Sequence, residues 1–356
     1  MSYFRSVLVT LCIGVVLAGC NRNGLQPALG ESDQVTIVAD STDFETYADV
    51  FENALTAPFF TPQPESWFSI ERVGVGALPG RKNQRNILIV APIDAQNAAG
   101  ELMRAALDAQ VQHLVREGRE HIFVKRDLWY SDQVVVFVTA ANAGALREAV
   151  MEAGPRLHHY FKNAWDEREM RRLFTLGRLE NLESRLLKKH AWSIGIIKGW
   201  KVGKDSTELR SVLLRRQDPA NTERWVLVHW IDSADTRLLT NAFAYATRNR
   251  LTQILYRTFD DRTHVRIDSV NHLQFDEVEF NGRFAIRMQG LWQMADYSMG
   301  GPFVSYLFYD EAQKRMYFLD GSVFAPAYEK KKLIQDVDVM MHTLTTRAPG
   351  STATPS

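Results

Sequence analysis

Apolar positions recur along this chain with two periods, and the switches between them mark out its elements. Residues 34–39 form a short apolar strand that stops at Asp40-Ser41. Thr42 with Glu45 then has the spacing of a capping box, and Phe44, Tyr47, Phe51, Ala54 and Leu55 share one helical face. Pro58, Pro62 and Pro64 mark a loop before strands at 67–73 and 86–93, the second a continuous apolar run of the doubly covered kind. One amphipathic helix is predicted over 100–116 from Leu102, Ala106, Leu107, Val111 and Leu114, and a hairpin over 122–139 turning at Ser131-Asp132. From Asn142 a helical pattern runs to Trp165, interrupted at Gly154-Pro155.

The second half opens with a charged helical stretch, 166–190, whose Leu173, Leu176, Leu179, Leu182 and Leu186 lie near one stripe. Strands follow at 192–200, 209–215 and 225–231, then a helix over 238–255. Asn281-Gly282 is the sharpest local signal, because both residues accept the positive φ of a type I′ turn and alternating strands flank them. Strands at 303–310 and 315–324 precede a last helix within 329–346, striped by Leu333, Val337, Met340 and Leu344. This order predicts an α+β chain of two domains, 34–165 and 191–346, joined by a connecting helix at 166–190. Each is expected to be a mostly antiparallel sheet with packed helices. Residues 347–356 (RAPGSTATPS) read as a disordered tail.

The amino terminus changes where this body is expected to live. Arg5 and an apolar run from Val7 to Leu17 lead into Leu17-Ala18-Gly19-Cys20, which reads as a lipoprotein signal peptide over 1–19 with lipidation at Cys20. A run of about 11 apolar residues is too short to span a bilayer, which needs roughly 20. The expected partner is therefore the membrane, held through lipid at Cys20 and a flexible tether over 20–33. Asn21, rather than an aspartate, follows the cysteine and favours the outer membrane, facing the periplasm, within the cell envelope.

Composition narrows the chemistry. Lys+Arg and Asp+Glu are equal at 42 each, so no concentrated cationic surface suggests nucleic acid as a partner. The two cysteines are Cys12, in the leader, and Cys20, which leaves a mature chain without thiol or disulfide chemistry. No HExxH, paired CxxC, EF-hand loop, GxSxG or SxxK is present, and no cofactor or metal is expected. The glycines at 74–80 are followed by Arg81, polar residues and a strand. A phosphate loop would open a helix there.

Candidate binding residues gather late in the chain. Trp292, Tyr297, Tyr306 and Tyr328 offer amphipathic rings, Asp296 and Asp320 carboxylates, and Gly300-Gly301 a bend where backbone could approach a ligand. The same residues also suit a sheet whose aromatics fill the core. The expected function is a non-catalytic binding or assembly module for an envelope protein or ligand. The alternative is a hydrolase or transferase acting on an envelope glycan, lipid or peptide, with Asp296 or Asp320 as acid or base and Tyr306 nearby.

The segments MGGPFVSY (299–306), GLW (290–292), APAYEK (325–330) and RNILIV (85–90), with the leader cysteine, resemble an uncharacterised bacterial lipoprotein family of Bacteroidetes type, known as a domain of unknown function. The resemblance spans nearly the whole mature chain and is strongest in its last seventy residues. It implies a lipid-anchored envelope protein and brings no assigned activity or catalytic residues.

Overall fold

The computed structural model describes residues 24–347 apart from 60, 64, 220, 259 and 272. The leader, Cys20 and nearly all of the carboxy-terminal tail lie outside the described residues. The chain is mixed α+β in two regions, as the pattern predicts.

The first region is built on β1 (Gln34–Val38), α1 (Ser41–Leu55), the small hairpin of β2 (Pro58–Phe59) and β3 (Glu65–Ser66), β4 (Ser69–Val73) and β5 (Asn86–Val90). It continues through α2 (Ala98–Ala106), α3 (Ala109–Arg116), β6 (Ile122–Arg126), β7 (Val134–Val138) and α4 (Ala143–Thr175). Its five strands run in the order β4-β1-β5-β7-β6. Here the expected antiparallel sheet with helices on one face is corrected. β1 pairs parallel with β4 and with β5, β5 pairs parallel with β7, and only β6 is antiparallel. The physical reason lies in β5 and β7, NILIV and VVVFV, buried at every position. Such strands need cover on both faces, which crossover helices supply. Phe44, Phe51, Leu157 and Phe161 of α1 and α4 pack on one face, and Met103 and Val115 of α2 and α3 on the other.

Three local expectations also change. The helix predicted over 100–116 is two, because Asp108 accepts a hydrogen bond from the Val111 amide at 2.9 Å and caps a new start. α1 begins directly after Asp40, so Thr42 lies within its first turn and does not cap it. α4 runs unbroken through Gly154-Pro155 and past Asp166. A proline inside a helix costs about 3 kcal/mol, and the buried stripe Val150, Ala153, Leu157, Phe161 and Trp165 on either side of it more than offsets this. The tether is shorter than expected as well. Pro27 bridges to Ser131 and Leu29 to Gln84, with the Ala28 amide donating to Ser131 O at 2.9 Å.

After a bend at 176–179, where Gly177 has a φ of 91°, the second region begins with α5 (Glu180–His190) and β8 (Trp192–Ser193). β9 (Lys201–Ser206), β10 (Ser211–Asp218), β11 (Thr222–Asp232), α6 (Asn241–Leu255) and β12 (Val265–Ile267) follow. The chain then forms β13 (Leu273–Phe280), β14 (Arg283–Met294), β15 (Gly300–Asp310), β16 (Arg315–Phe324), α7 (Lys331–Met341) and β17 (Thr345–Thr346). The antiparallel sheet runs β12-β14-β15-β16-β11-β10-β9, with β13 also paired to β14. The strand expected over 192–200 shrinks to β8, paired with β17. Ile194, Ile196, Ile197 and Trp200 instead enter the core as irregular chain. The polar stretch Lys201–Ser206 becomes an edge strand whose charges face solvent. Asn281 and Gly282 take φ of 52° and 77°, the turn their sequence predicts.

α6 covers one face of this sheet and α7 the other. The amino-terminal end of α7 also clasps the first region. Lys330 Nζ donates to Gln63 Oε1 at 2.7 Å, Lys331 Nζ pairs with Asp33 at 2.7 Å and Lys332 Nζ with Glu31 at 2.8 Å. Glu65 accepts the Lys330 and Lys331 amides. No helix among the described residues is long and apolar enough to cross a membrane.

Candidate functional site

Side chains on a strand alternate between faces, and this alternation separates the residues singled out from the sequence. Trp292 on β14 and Asp320 on β16 point toward α6, whereas Tyr306 on β15 points toward α7. Trp292 is buried and donates its indole N–H to Val323 O at 3.2 Å. Gly301 makes room for that ring, and Gly300 for the Trp292 backbone. A Cβ on Gly301 would lie 2.0 Å from Val323 O and 3.1 Å from Trp292 Nε1, and one on Gly300 would lie 3.0 Å from Trp292 O. These three residues meet, but as packing.

Asp296 and Tyr297 stand in the exposed turn between β14 and β15, where Asp296 accepts from the Ser298 hydroxyl and amide. Tyr328 is half exposed in the loop before α7, away from the others. Asp320 is sealed. It accepts from Arg248 Nε at 2.6 Å, Ser305 Oγ at 2.7 Å, Ser322 Oγ at 3.0 Å and Tyr256 OH at 3.1 Å, and neither Arg248 nor Asp320 has any exposed side-chain area. An acid and base pair of Asp296 with Asp320 is therefore not formed: one is in open solvent and the other has every lone pair engaged inside the core.

Tyr306 leads to a different place. Between the two regions lies a cleft of about 1380 Å³. The first region contributes the end of α1, the β2–β3 hairpin, Trp67, and His158, His159, Lys162 and Asp166 from α4. The second contributes Gln274, Arg287, Gln289, Tyr306, Asp338 and His342. Its floor is a set of hydrogen bonds and ion pairs. Lys162 Nζ contacts both oxygens of Asp166 at 2.6 and 2.7 Å and stands 3.8 Å from Asp338 Oδ2. Tyr306 OH donates to Asp338 Oδ1 at 2.7 Å, His342 lies 3.6 Å from that oxygen, and Gln335 donates to Asp166. Arg287 is held by Asp276 at 2.9 Å.

This environment treats its titrating groups unequally. Burial raises Asp166; Lys162 opposes the shift and the charge of Asp338 reinforces it. Burial works against the charge on Asp338 too, yet His342, Lys162 and the Tyr306 hydroxyl outweigh it and hold that carboxyl below its ordinary range. Burial, with Asp338 beside it, pushes Tyr306 well above the usual phenol range. His158 is pushed down to about 4 by burial, with Lys162 and Arg287 adding to the effect, and its ring meets Trp67 edge-on at 4.9 Å. The floor thus sets a carboxyl held below its ordinary range, one raised above it and a buried imidazole beside the rings of Phe59 and Trp67. Among the described residues no group of three or more His, Cys, Asp or Glu is placed to hold a metal ion.

Apart from Tyr306, none of these residues stands out in the sequence. Lys162, Asp166 and Asp338 read as ordinary helix polars, and Asp338 shares its stripe of α7 with Lys331 and Gln335.

Residues 180–343 match the family model described as Domain of unknown function (DUF4837), and residues 28–174 match a second, Domain of unknown function (DUF8532). The junction between the two matches coincides with the end of α4 and the bend after it. No curated protein matches the chain. Among solved structures it is similar to LpqN of Mycobacterium tuberculosis, involved in cell envelope biogenesis, at 13% identity over 44% of this chain and 83% of that one, TM-score 0.29. It is also similar to the Saccharomyces cerevisiae Ran-binding protein Mog1p, at 11% identity over 44% of this chain and 91% of that one, TM-score 0.29. A Bacteroides thetaiotaomicron protein matches at 11% identity over 45% of this chain and 47% of that one, TM-score 0.25. Likenesses this distant transfer no function.

Proposed function

We propose that this chain is a lipid-anchored cell-envelope protein that acts as a binding module, with its ligand in the cleft between the two regions. The observation that carries the reading is the cleft itself. It is large, walled by both regions, and floored by a charged and hydrogen-bonded network beside aromatic side chains, the composition expected of a ligand site. Supporting the location are the lipobox at Leu17–Cys20 and the short path from it to the pinned residues Pro27 to Leu29. Acyl chains at Cys20 tether the body to a bilayer, most simply the outer membrane on its periplasmic side.

The test has two arms. Cys20→Ser is expected to move the protein from the membrane to the soluble fraction. Thermal-shift and calorimetric screening of purified protein against muropeptides, envelope oligosaccharides and short peptides is expected to give a ligand whose binding is lost in Trp67→Ala and Asp338→Asn. A ligand indifferent to both substitutions, or none across the three classes, removes the cleft from consideration.

A second reading, hydrolysis or group transfer on the bound ligand, draws on the opposite displacements of Asp166 and Asp338 around one ammonium, which suit an acid and a base. It requires turnover of the ligand that stops in Asp166→Asn while binding persists.

A further inference from the structure

Where α6 meets the edge strand β12, away from the cleft, the surface carries a smaller, open hollow of about 300 Å³. Tyr245, Asn249 and Gln253 recur every four residues and line it from one stripe of α6. His264 and Arg266, two apart on the chain entering β12, line it from the other side. No carboxylate is among its described lining residues.

Arg266 is unlike its neighbours. Arg257 and Arg262 each hold an aspartate, Asp261 and Asp260. The side chain of Arg266 makes no hydrogen bond or ion pair among the described residues, its charge reaching the Asp268 carboxylate only through space, and its Nε is fully enclosed without a partner. The nearby carboxylate of Asp268 is taken up by the Val270 and Asn271 amides at 3.0 and 3.3 Å and by Asn271 Nδ2 at 2.6 Å. The guanidinium instead lies over the ring of Tyr297, 4.9 Å from its centroid, which leaves its two terminal Nη groups without a partner among the described residues. Asn249 is oriented too: its Oδ1 accepts the Ile267 amide at 2.9 Å, so its Nδ2 remains as a donor.

We propose that this pocket binds a tetrahedral oxyanion, a phosphoryl group, with Arg266 as the two-pronged donor and Asn249, His264 and Tyr245 around it. An unpaired, ring-stacked guanidinium in a hollow lined by donors and lacking acids is the arrangement that recognises phosphate. The group belongs either to a water-borne phosphate or to a phospholipid head group. The proposal does not depend on what fills the cleft.

The experiment is calorimetric titration of the full chain in neutral detergent with two probes, inorganic phosphate and dihexanoyl-phosphatidylglycerol. Saturable binding of either probe is expected, weakened about 10- to 100-fold in Arg266→Gln and partly restored in Arg266→Lys, with an unchanged melting temperature. Binding of phosphate assigns the pocket to a soluble ligand, and binding of the lipid alone assigns it to a head group. Asp338→Asn, in the cleft, is expected to leave both titrations unchanged. Failure of both probes to bind the wild type, or equal binding by Arg266→Gln, overturns the proposal.

Discussion

Two carboxylates flank the eight-stranded sheet in similar company. Asp320, on the α6 side, accepts from Tyr256 OH; Asp338, on the α7 side, accepts from Tyr306 OH. What separates them is the cation. Arg248 sits 2.6 Å from Asp320 and both are sealed from solvent, with two serine hydroxyls completing the shell. Lys162 is committed to Asp166 and stands 3.8 Å from Asp338, whose side chain keeps 14% of its exposure. The same residue types therefore perform a structural task where every lone pair is met, and remain open to a ligand where one is left unmet beside a cleft. Chemical identity alone does not mark a site; a carboxylate left short of partners beside a cleft is what separates Asp338 from Asp320.

Five measurements would break or sharpen this contrast. The largest effect belongs to the sealed face. Asp320→Ala strands Arg248 in the core and is expected to lower stability by about 3–5 kcal/mol in urea unfolding, and Trp292→Ala on the same face by a similar ~3–5 kcal/mol. A loss below about 1 kcal/mol for Asp320→Ala would mean that the face is not sealed.

Next comes pH. His229, buried near α6 with its Nδ1 bonded to the Leu209 and Arg210 carbonyls, is pushed down to about 4, chiefly by burial, with the charge of Arg250 adding to it. The unfolded chain takes up this proton first, near pH 6.5. Its contribution to stability is whole above pH 6.5 and is lost as pH falls toward 4, by about 3 kcal/mol. His158 on the cleft wall, also displaced to about 4, acts in the same direction. Chemical denaturation at pH 7 and pH 4 checks the sign; a protein more stable at pH 4 contradicts both burials.

On the open face, Asp338→Asn is expected to change stability by only about 1 kcal/mol, since an amide oxygen can still accept from Tyr306, while ligand affinity in the cleft collapses. The reverse outcome, a large unfolding penalty with intact binding, would make Asp338 a second Asp320. Smallest of all is Lys332→Ala. Its exposed pair with Glu31 is expected to contribute at most about 0.5 kcal/mol, a value readable as an unchanged melting temperature.

Much of the fold is legible in the sequence wherever a single element decides it. Asn281-Gly282, the continuous run at β5 and the stripe of α7 are local facts, and the structure keeps them. Strand direction is not local. β7 carries the same all-buried pattern as β5, and β1 is buried at all but its first position, yet the choice between parallel and antiparallel pairing depends on which helices cross over, and only β5 is read as doubly covered from its pattern. The helix through Pro155 is misjudged for a related reason: the penalty is local, while the burial that offsets it is supplied by α1 and the first sheet.

The candidate site was legible in part. Its aromatic and glycine signals point to β14 and β15, where Trp292, Gly300 and Gly301 solve a packing problem and Asp320 a charge problem. Tyr306 alone of the selected residues faces the cleft. Lys162 and Asp338, 176 positions apart by their numbering, become neighbours only through docking of α7 against α4, which no pattern along one element records.

The unbroken course of α4 has a mechanical consequence. At 1.5 Å per residue its 33 residues make a rod of about 50 Å, continuous from the parallel sheet to the floor of the cleft. A force that spreads the two regions is passed along such a rod as tilt. Because Lys162 and Asp166 both stand on α4, such a tilt would turn them away from Asp338 together.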